Sequence, residues 1–303
     1  MMSMGESDCA ESAAIPEGQY IYVSPLGDDG WSGRLADPAA DRSDGPFRTL
    51  ARAVKDLKPG WTCFLRAGVY REILRPETGG ADGRPIIFRN YLDEVAVISG
   101  ADPLGAWTDE GDGIFSAPMD WNLNDQNQVF GDGAMLTEAR WPHNSGSLFQ
   151  PIRAKATTGT MSSLTDPTLP GGEDAWKGAL LWCAGGDKWI CWSEKIERYD
   201  AATHTLFFKM STPQHWYEVR PGSSYVLMGL RSSLGAPGEW WYDAEQRRML
   251  LIPPKGSDIA KLSVEAKRRL DCIDLSGMVN VQIIGLRFRS GGVRTDEKTC
   301  AIR

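Results

Sequence analysis

The stretches TCFLR at 62–66 and PIIFR at 85–89 decide the fold class of this chain. Further apolar runs lie at 70–74 and 95–98, and glycines lie between or after the runs at 68, 79, 80, 83 and 100. Cys63 and Ile87 are 24 residues apart (87 − 63), which is the length of one coil of a β-solenoid with three strands per turn. The runs therefore predict short parallel strands that stack coil on coil around an apolar column.

The same pattern returns near the end of the chain. LDCIDL at 270–275 and VNVQIIGLRF at 279–288 predict successive strands, and TCAI at 299–302 begins another. Cys272 and Cys300 are 28 residues apart (300 − 272), which again corresponds to one coil.

One segment, 46–57, has the spacing of an amphipathic helix. Its apolar residues recur at intervals of three, four and three: Phe47, Leu50, Val54 and Leu57. Pro59 and Gly60 then end the pattern. A single helix before a run of strands predicts a cap over the open end of a sheet stack.

Between these flanks, from 101 to 262, paired apolar runs bracket turn sequences: GDG at 131–133, GGDK at 185–188, DAAT at 200–203 and DAEQR at 243–247. Hairpins without helices predict an antiparallel β-sandwich inserted into the solenoid. The expected organisation is a disordered tail at 1–18, the cap and first coil at 19–100, the sandwich at 101–262, and a resumed β-helix at 263–303. The fold class is all-β.

Composition excludes several classes of function. The 303 residues carry a formal net charge of −7 and no basic block, which disfavours binding to nucleic acid or to an anionic membrane. No run approaches the roughly 18 apolar residues of a membrane span, and the acidic opening lacks the features of a signal peptide. The six cysteines form no CxxC pair, and no two of the three histidines are spaced as zinc ligands.

The residues resemble a known superfamily. YVSP at 22–25, GPFRTL at 45–50 and LRAGVYRE at 65–72 are similar to the N-terminus of right-handed parallel β-helix proteins of the pectin-lyase-like superfamily, which includes polysaccharide lyase family 6. ARWPH at 139–143 and GEWWYD at 238–243 are similar to the sandwich inserted after the first coil in β-helix hydrolases of glycoside hydrolase family 120.

The resemblance implies the N-terminal portion of a carbohydrate-active protein that acts on a poly- or oligosaccharide. Hydrolysis is favoured over β-elimination because lyases of uronate polymers usually need a basic cleft. The alternatives are a non-catalytic glycan-binding or structural β-helix module, or a polysaccharide lyase fragment. Relatives are often secreted or periplasmic, but no export signal is visible, so the localisation stays open.

The resemblance assigns no catalytic residue. In the enzymes of this superfamily the catalytic groups lie on central coils, which would follow Arg303, so we expect the chain to be cut short and inactive alone. A solenoid end exposes unpaired backbone and apolar interior, and two coils are fewer than the roughly three that stability requires. A second copy of the chain could cover that end as a homo-oligomer.

Six aromatic and polar residues are candidate glycan contacts: Arg140, Trp141, His143, Trp121, Trp240 and Trp241. Trp is suited to stacking on sugar rings, while Arg140 and His143 would bond hydroxyls. The preferred alternative is that Trp141 packs in the sandwich and Arg140 pairs with a carboxylate. Glu239, Asp243 and Glu245 form an acidic group beside Trp240 and Trp241, although acidic residues are also common at such turns.

No cofactor is predicted. Five aspartates crowd one loop, as hard oxygen ligands do around calcium: Asp28, Asp29, Asp37, Asp41 and Asp44. Their spacing matches no EF-hand, and aspartate in turns is the simpler interpretation. Cys183 and Cys191 could face each other across a hairpin as a disulfide, but two buried small hydrophobic residues are the preferred interpretation.

Overall fold

The computed structural model describes residues 19–144, 147–186, 188–297 and 299. These residues form an all-β fold with one α-helix, α1 (Leu50–Asp56). In chain order the strands are β1 (Tyr20–Val23), β2 (Thr62–Leu65), β3 (Gly68–Tyr70), β4 (Ile86–Asn90), β5 (Ala96–Ser99), β6 (Ala101–Pro103), β7 (Thr108–Gly111), β8 (Ile114–Pro118), β9 (Val129–Gly131), β10 (Ala134–Met135), β11 (Thr137–Glu138), β12 (Arg140–Trp141), β13 (Ala154–Lys155), β14 (Thr158–Gly159), β15 (Ser163–Thr165), β16 (Leu180–Gly185), β17 (Ile190–Asp200), β18 (Thr205–Phe208), β19 (Ser224–Met228), β20 (Glu239–Asp243), β21 (Arg248–Leu251), β22 (Val264–Lys267), β23 (Asp271–Asp274), β24 (Val281–Ile284), β25 (Arg287–Arg289) and β26 (Gly292–Arg294). The predicted tail at 1–18 lies outside the described residues, as does the end of the predicted strand at 299–302.

The chain divides into two compact units. Unit 1 consists of Met1–Asp102 and Lys267–Arg303, and unit 2 is Pro103–Ala266. In the part of the chain that the structure describes, no helix has the length and apolar character needed to span a bilayer.

Unit 1 is built from parallel strands. One sheet has the order β1-β2-β4-β24, a second has the order β25-β5-β3, and β23 pairs with β26. All of these pairings are parallel. Buried side chains from β1, β2, β4, β5, β23 and β24 join one hydrophobic core. Parallel strands need a crossover connection, so the sheets are formed by segments distant in sequence.

The register in unit 1 differs by one residue from the expected spacing. Cys63 lies opposite Phe88 and not opposite Ile87, so neighbouring positions on β2 and β4 are 25 residues apart (88 − 63). Ile86 and Phe88 are fully buried, whereas Ile87 is half-buried. Since side chains alternate between the two faces of a strand, this register puts the apolar residues of both strands on the core side.

The helix is shorter than its apolar spacing predicts. It begins at Leu50, with Thr49 as N-cap, because the backbone of Phe47 is bonded to β1: its N–H donates to the Tyr22 carbonyl and its carbonyl accepts from Ser24 N–H. The predicted apolar stripe is confirmed, since all four of its residues are buried in the unit 1 core: Phe47, Leu50, Val54 and Leu57.

Two strand predictions in unit 1 were wrong in their bounds. The run at 70–74 is not a strand; β3 ends at Tyr70, and Leu74 makes only an isolated bridge to Ile273. The run at 279–288 is interrupted at Gly285, whose φ is +67°, so it forms the two strands β24 and β25. A chain at this φ turns out of the extended conformation, and glycine adopts it without steric cost.

Unit 2 contains larger, mainly antiparallel sheets. One has the order β12-β19-β16-β17-β18-β15-β14, with β13 also paired to β19, and another has the order β11-β20-β21-β8-β7. The predicted hairpins β9–β10, β16–β17, β17–β18 and β20–β21 are confirmed. The apolar runs expected as separate strands after GGDK (185–188) and before DAAT (200–203) are one strand, β17, which has an irregularity between Ile196 and Arg198. This bulge lets one strand pair with β16 along its first half and with β18 along its second.

Two large hydrophobic cores lie within unit 2, which a single two-layer sandwich does not predict. The first is formed by the sheet that contains β16–β19 and includes Leu181, Tyr199 and Tyr225. The second includes Met119, Trp240 and Met249. A smaller cluster contains Ala139, Leu234 and Leu250.

Candidate functional site

The short edge strand β12 positions two of the predicted site residues on opposite faces of its sheet. It pairs only with β19, Arg140 opposite Met228 and Trp141 opposite Leu227. Pro142 follows and has no N–H to continue the ladder, so the strand ends there. Because successive side chains on a strand alternate, Arg140 lies with Met228 on one face, and Trp141 packs against the core on the other.

Trp141 is half-buried, and its ring packs beside two other aromatic rings. Its ring centroid lies 6.0 Å from that of Trp176 and 5.9 Å from that of Tyr225. Trp176 is itself held by its indole N–H, which donates to the Pro170 carbonyl at 2.8 Å. The aromatic surface is therefore rigid.

His143 is fixed by a buried carboxylate. Its Nδ1 lies 3.0 Å and 3.1 Å from the two carboxylate oxygens of Glu239, whose side chain is 1% exposed. The same carboxylate accepts the backbone N–H groups of Gly235 and Ala236 at 3.2 Å and 3.0 Å. An ionised carboxylate can only accept, so Nδ1 carries the proton and Nε2 is left as an acceptor in the neutral imidazole.

A depression of about 270 Å³ opens beside these groups, and its lining includes Trp141, His143, Trp176 and Ser233. Ser233 is 4% exposed, and its hydroxyl has no hydrogen-bond partner among the described residues. The depression thus combines an aromatic wall with the His143 imidazole. Aromatic side chains with a few polar groups are the usual lining of a small-ligand site.

Arg140 separates this depression from a second one. Its Nε donates to the Pro142 carbonyl at 3.0 Å, and its Nη2 donates to the Ile152 carbonyl. Burial lowers the pKa of Arg140 below its ordinary value; the Glu239 carboxylate raises the pKa in part, and the charge of Arg153 lowers it further. The second depression, about 210 Å³, is lined by both arginines and by Trp182. The predicted pairing of Arg140 with a carboxylate was wrong: Nε and Nη2 each donate to a backbone carbonyl, and Arg140 forms no ion pair among the described residues.

The acidic group of β20 has no free carboxylate pair. Glu239 is hydrogen-bonded to His143 as described. Asp243 accepts from the backbone N–H groups of Glu245 and Gln246 and from Arg248. Both Glu239 and Asp243 are buried, and only Glu245 is exposed. Hydrogen bonds thus hold both buried carboxylates in place.

Three of the predicted contact residues lie elsewhere in unit 2. Trp240 is 4% exposed in the second core, and Trp121 packs against the same core. Trp241 contacts the small cluster and donates its indole N–H to the Gly229 carbonyl. None of the three lines either depression, because their rings pack against the hydrophobic clusters of unit 2.

The aspartate-rich loop is held by its own donors. Asp29 accepts from the backbone of Arg48 and Thr49 and from the Thr49 hydroxyl, and Asp44 accepts from the backbone and hydroxyl of Ser32. Among the described residues, no three His, Cys, Asp or Glu side chains are grouped so that they could hold a metal.

The two hairpin cysteines are free thiols and not a disulfide. Cys183 lies opposite Trp192, and Cys191 lies opposite Ala184, so the two are not a directly opposed pair. Cys183 is buried as expected, and burial raises the pKa of its thiol to about 12. Cys191 is exposed, so the expectation that it would be buried was wrong.

Sequence reasoning found Arg140, Trp141 and His143 but missed Glu239 as the partner of His143, together with Trp176 and Ser233. His143 and Glu239 are 96 residues apart, and no local pattern links them. A larger depression in unit 1, about 680 Å³, is lined by Gln19, Lys58, Trp61 and Arg84 among others, and its described lining residues include no carboxylate or histidine. The unit 2 depression is therefore the better candidate.

Comparison with known proteins gives a likeness in fold. No protein-family model matches the chain. A solved structure described as "Glycoside hydrolase" superimposes on 90% of this chain and 51% of its own length, with a TM-score of 0.70 and 18% identity. "The complex structure of XylC with xylose" aligns over 90% of this chain and 36% of its own, with a TM-score of 0.47 and 13% identity.

One curated relative is similar in sequence over a short region. "Uncharacterized protein YwoF" of Bacillus subtilis (strain 168) is 45% identical over 83 residues, which is 27% of this chain and 16% of the relative. The chain thus spans about half the length of the glycoside hydrolase structure and a smaller share of the curated relative.

Proposed function

We propose that this chain is the N-terminal portion of a carbohydrate-active right-handed parallel β-helix protein, a glycoside hydrolase that acts on a poly- or oligosaccharide. The observation that carries the proposal is the fold shared over 90% of the chain with a solved glycoside hydrolase, at a TM-score of 0.70. The parallel pairing throughout unit 1, with strand partners 25 residues apart on β2 and β4, supports the β-helix.

In this proposal unit 2 contributes a glycan contact at the depression beside Trp141 and His143. The pyranose ring has apolar C–H faces that pack on aromatic rings, and its hydroxyls are both donors and acceptors. His143 Nε2 accepts from a sugar hydroxyl, because Glu239 holds the proton on Nδ1.

In this proposal unit 2 binds the glycan and does not cleave it. The acidic residues of β20 are bound to backbone and side-chain partners, which supports a binding role for unit 2 and not a catalytic one. The same observation favours the second candidate function, a non-catalytic glycan-binding β-helix module.

Calorimetric titration of the chain with a panel of oligosaccharides tests the glycan contact. We expect at least one oligosaccharide to bind, and His143→Gln to weaken binding by about two- to tenfold, since one neutral hydrogen bond contributes about 0.5–1.5 kcal/mol. His215→Gln is the matched control, because His215 is an exposed histidine that does not line the depression. An equal effect of both variants would overturn the assignment of this site.

Product analysis after incubation with oligosaccharides distinguishes a hydrolase from a binding module. Release of reducing ends without unsaturated uronates indicates hydrolysis, and ultraviolet absorbance of unsaturated uronates indicates elimination. Binding without either product supports the binding module.

A further inference from the structure

The second depression of unit 2 contains two arginines and no acidic side chain. It lies on the face of the sheet opposite the first core and is lined by Arg140, Pro151, Arg153, Trp182, Val226 and Met228. Val226 and Met228 come from β19, and Trp182 comes from the neighbouring strand β16. The floor is therefore a rigid antiparallel pair, and the segment around Pro151 forms one wall.

Both arginines line the depression. Within the described residues neither Arg140 nor Arg153 forms an ion pair with a carboxylate. Arg153 instead stacks on Trp182, with its guanidinium carbon 4.8 Å from the ring centroid. Arg140 is 8% exposed, and a buried cation without a paired anion is costly.

The like charges of the two arginines act on each other. Arg153 contributes to the lowered pKa of Arg140, which means that the two cations lie close enough to repel. Glu239 is the acidic group that acts on Arg140, but its oxygens are bonded to His143 and to two backbone N–H groups. A bound oxyanion would relieve this repulsion. Its oxygens would accept hydrogen bonds from the Arg140 N–H groups that are not bonded to the carbonyls of Pro142 and Ile152.

We propose that this depression binds the anionic group of an acidic glycan, a uronate carboxylate or a sulfate ester, between Arg140 and Arg153. Arginine forks match the planar carboxylate in a bidentate manner and also bind sulfate oxygens. The apolar side chains of Val226 and Met228 contact the sugar ring that carries the anion. The cavity of about 210 Å³ is below the usual range for drug-sized ligands, so it suits one sugar residue.

This inference rests on the proposed function for the identity of the ligand as a glycan, and it concerns the charge of the sugar and not the reaction. Arg140 lines both depressions.

The test uses the chain as it is and four ligands: an oligogalacturonate, a sulfated neutral oligosaccharide, the same neutral oligosaccharide without sulfate, and inorganic sulfate. We expect an acidic oligosaccharide to bind at least tenfold more tightly than the uncharged one, with an affinity that falls as salt is raised. Tighter binding of the oligogalacturonate identifies a carboxylate as the source, and tighter binding of the sulfated sugar identifies a sulfate ester.

Arg153→Gln is the decisive variant, because Arg153 is exposed and its loss leaves the fold intact. We expect this variant to bind the acidic ligand about tenfold more weakly, since a charge-assisted hydrogen bond is lost. Its affinity for the uncharged ligand should be unchanged. Arg198→Gln is the matched control: Arg198 also stacks on an aromatic ring, Phe207 at 4.0 Å, but lies outside both depressions. Arg140→Lys, which keeps the charge and removes the fork, tests the bidentate contact.

The outcomes separate this inference from the proposed function. Equal binding of charged and uncharged oligosaccharides, or an equal effect of Arg153→Gln and Arg198→Gln, overturns the anionic site and leaves the glycan contact standing. Failure of all oligosaccharides to bind the folded chain overturns both. Binding of inorganic sulfate alone overturns the glycan as the source of the anion.

Discussion

Glu239 is the residue whose surroundings differ most from what its place in the sequence indicates. It lies near a turn, where acidic residues are common, yet its carboxylate is 1% exposed and accepts from His143 and from two backbone N–H groups. The carboxylate therefore orders the turn before β20 and orients the imidazole of His143.

Replacing Glu239 by alanine tests this role. The change removes the carboxylate that accepts from the N–H groups of Gly235 and Ala236 and from His143, and hydrogen bonds to a charged acceptor contribute about 1.5–3 kcal/mol, so we expect the free energy of unfolding to fall by about 2–3 kcal/mol. Urea denaturation followed by tryptophan fluorescence measures the loss. Glu245→Ala is the control and should change stability by less than about 0.5 kcal/mol, because Glu245 is exposed. Similar losses in the two variants would show that Glu239 does not organise the turn.

At the scale of elements, α1 illustrates how neighbouring segments stabilise a short helix. It has seven residues, fewer than an isolated helix needs in water. Its first N–H groups are all bonded to side chains: the Thr49 hydroxyl accepts from Arg52, and the Glu72 carboxylate accepts from Leu50 and Ala51. Glu72 could not be identified as a cap from the sequence. It lies 22 residues after Leu50 and reaches the helix only through the tertiary fold.

Thr49→Ala removes the N-cap of this helix. We expect a loss of about 1 kcal/mol in the free energy of unfolding, measured by chemical denaturation, because the Arg52 N–H loses its acceptor. Thr49→Ser keeps the hydroxyl and should retain most of the stability. If serine and alanine destabilise the protein equally, the hydroxyl is not the stabilising group.

The turn signals predicted the hairpins of unit 2 well, because a turn is set by neighbouring residues. Asp132 and Gly133, for example, both have positive φ, as a two-residue hairpin turn requires. The union of two predicted strands into β17 was not predictable, because a bulge depends on which strands pair on either side.

At the scale of the whole molecule, Arg66 links distant parts of unit 1 through ion pairs with Asp37 and Glu94. Arg66 donates from Nε and Nη2 to Glu94, and its Nη1 reaches Asp37 and the Ala36 carbonyl. These hydrogen bonds with Arg66 lower the pKa of Glu94 below its ordinary value of 4.5. The ionised form of Glu94 is therefore favoured in the folded state.

Acid stability tests this link. Because the folded pKa lies below the unfolded one, Glu94 contributes stability above about pH 4.5, and this contribution is lost as the pH falls through the folded pKa. We expect Glu94→Gln to be less stable than the parent chain at pH 7, and the difference in urea midpoint to shrink as the pH is lowered toward 3. Glu77→Gln, at an exposed position, should follow the parent curve at every pH. A difference between the parent chain and Glu94→Gln that does not change with pH would contradict the prediction.

The sequence by itself determined the all-β class, the apolar face of the one helix, the hairpins and the candidates on β12, because each follows from the spacing of apolar residues or from the chemistry of adjacent residues. Only the tertiary structure decided the 25-residue register, the pairing of His143 with Glu239 and the meeting of Arg140 with Arg153 in one depression. These depend on contacts between segments far apart in the chain. Such contacts are selected by packing and by the need of buried polar groups for partners, and no local pattern records either.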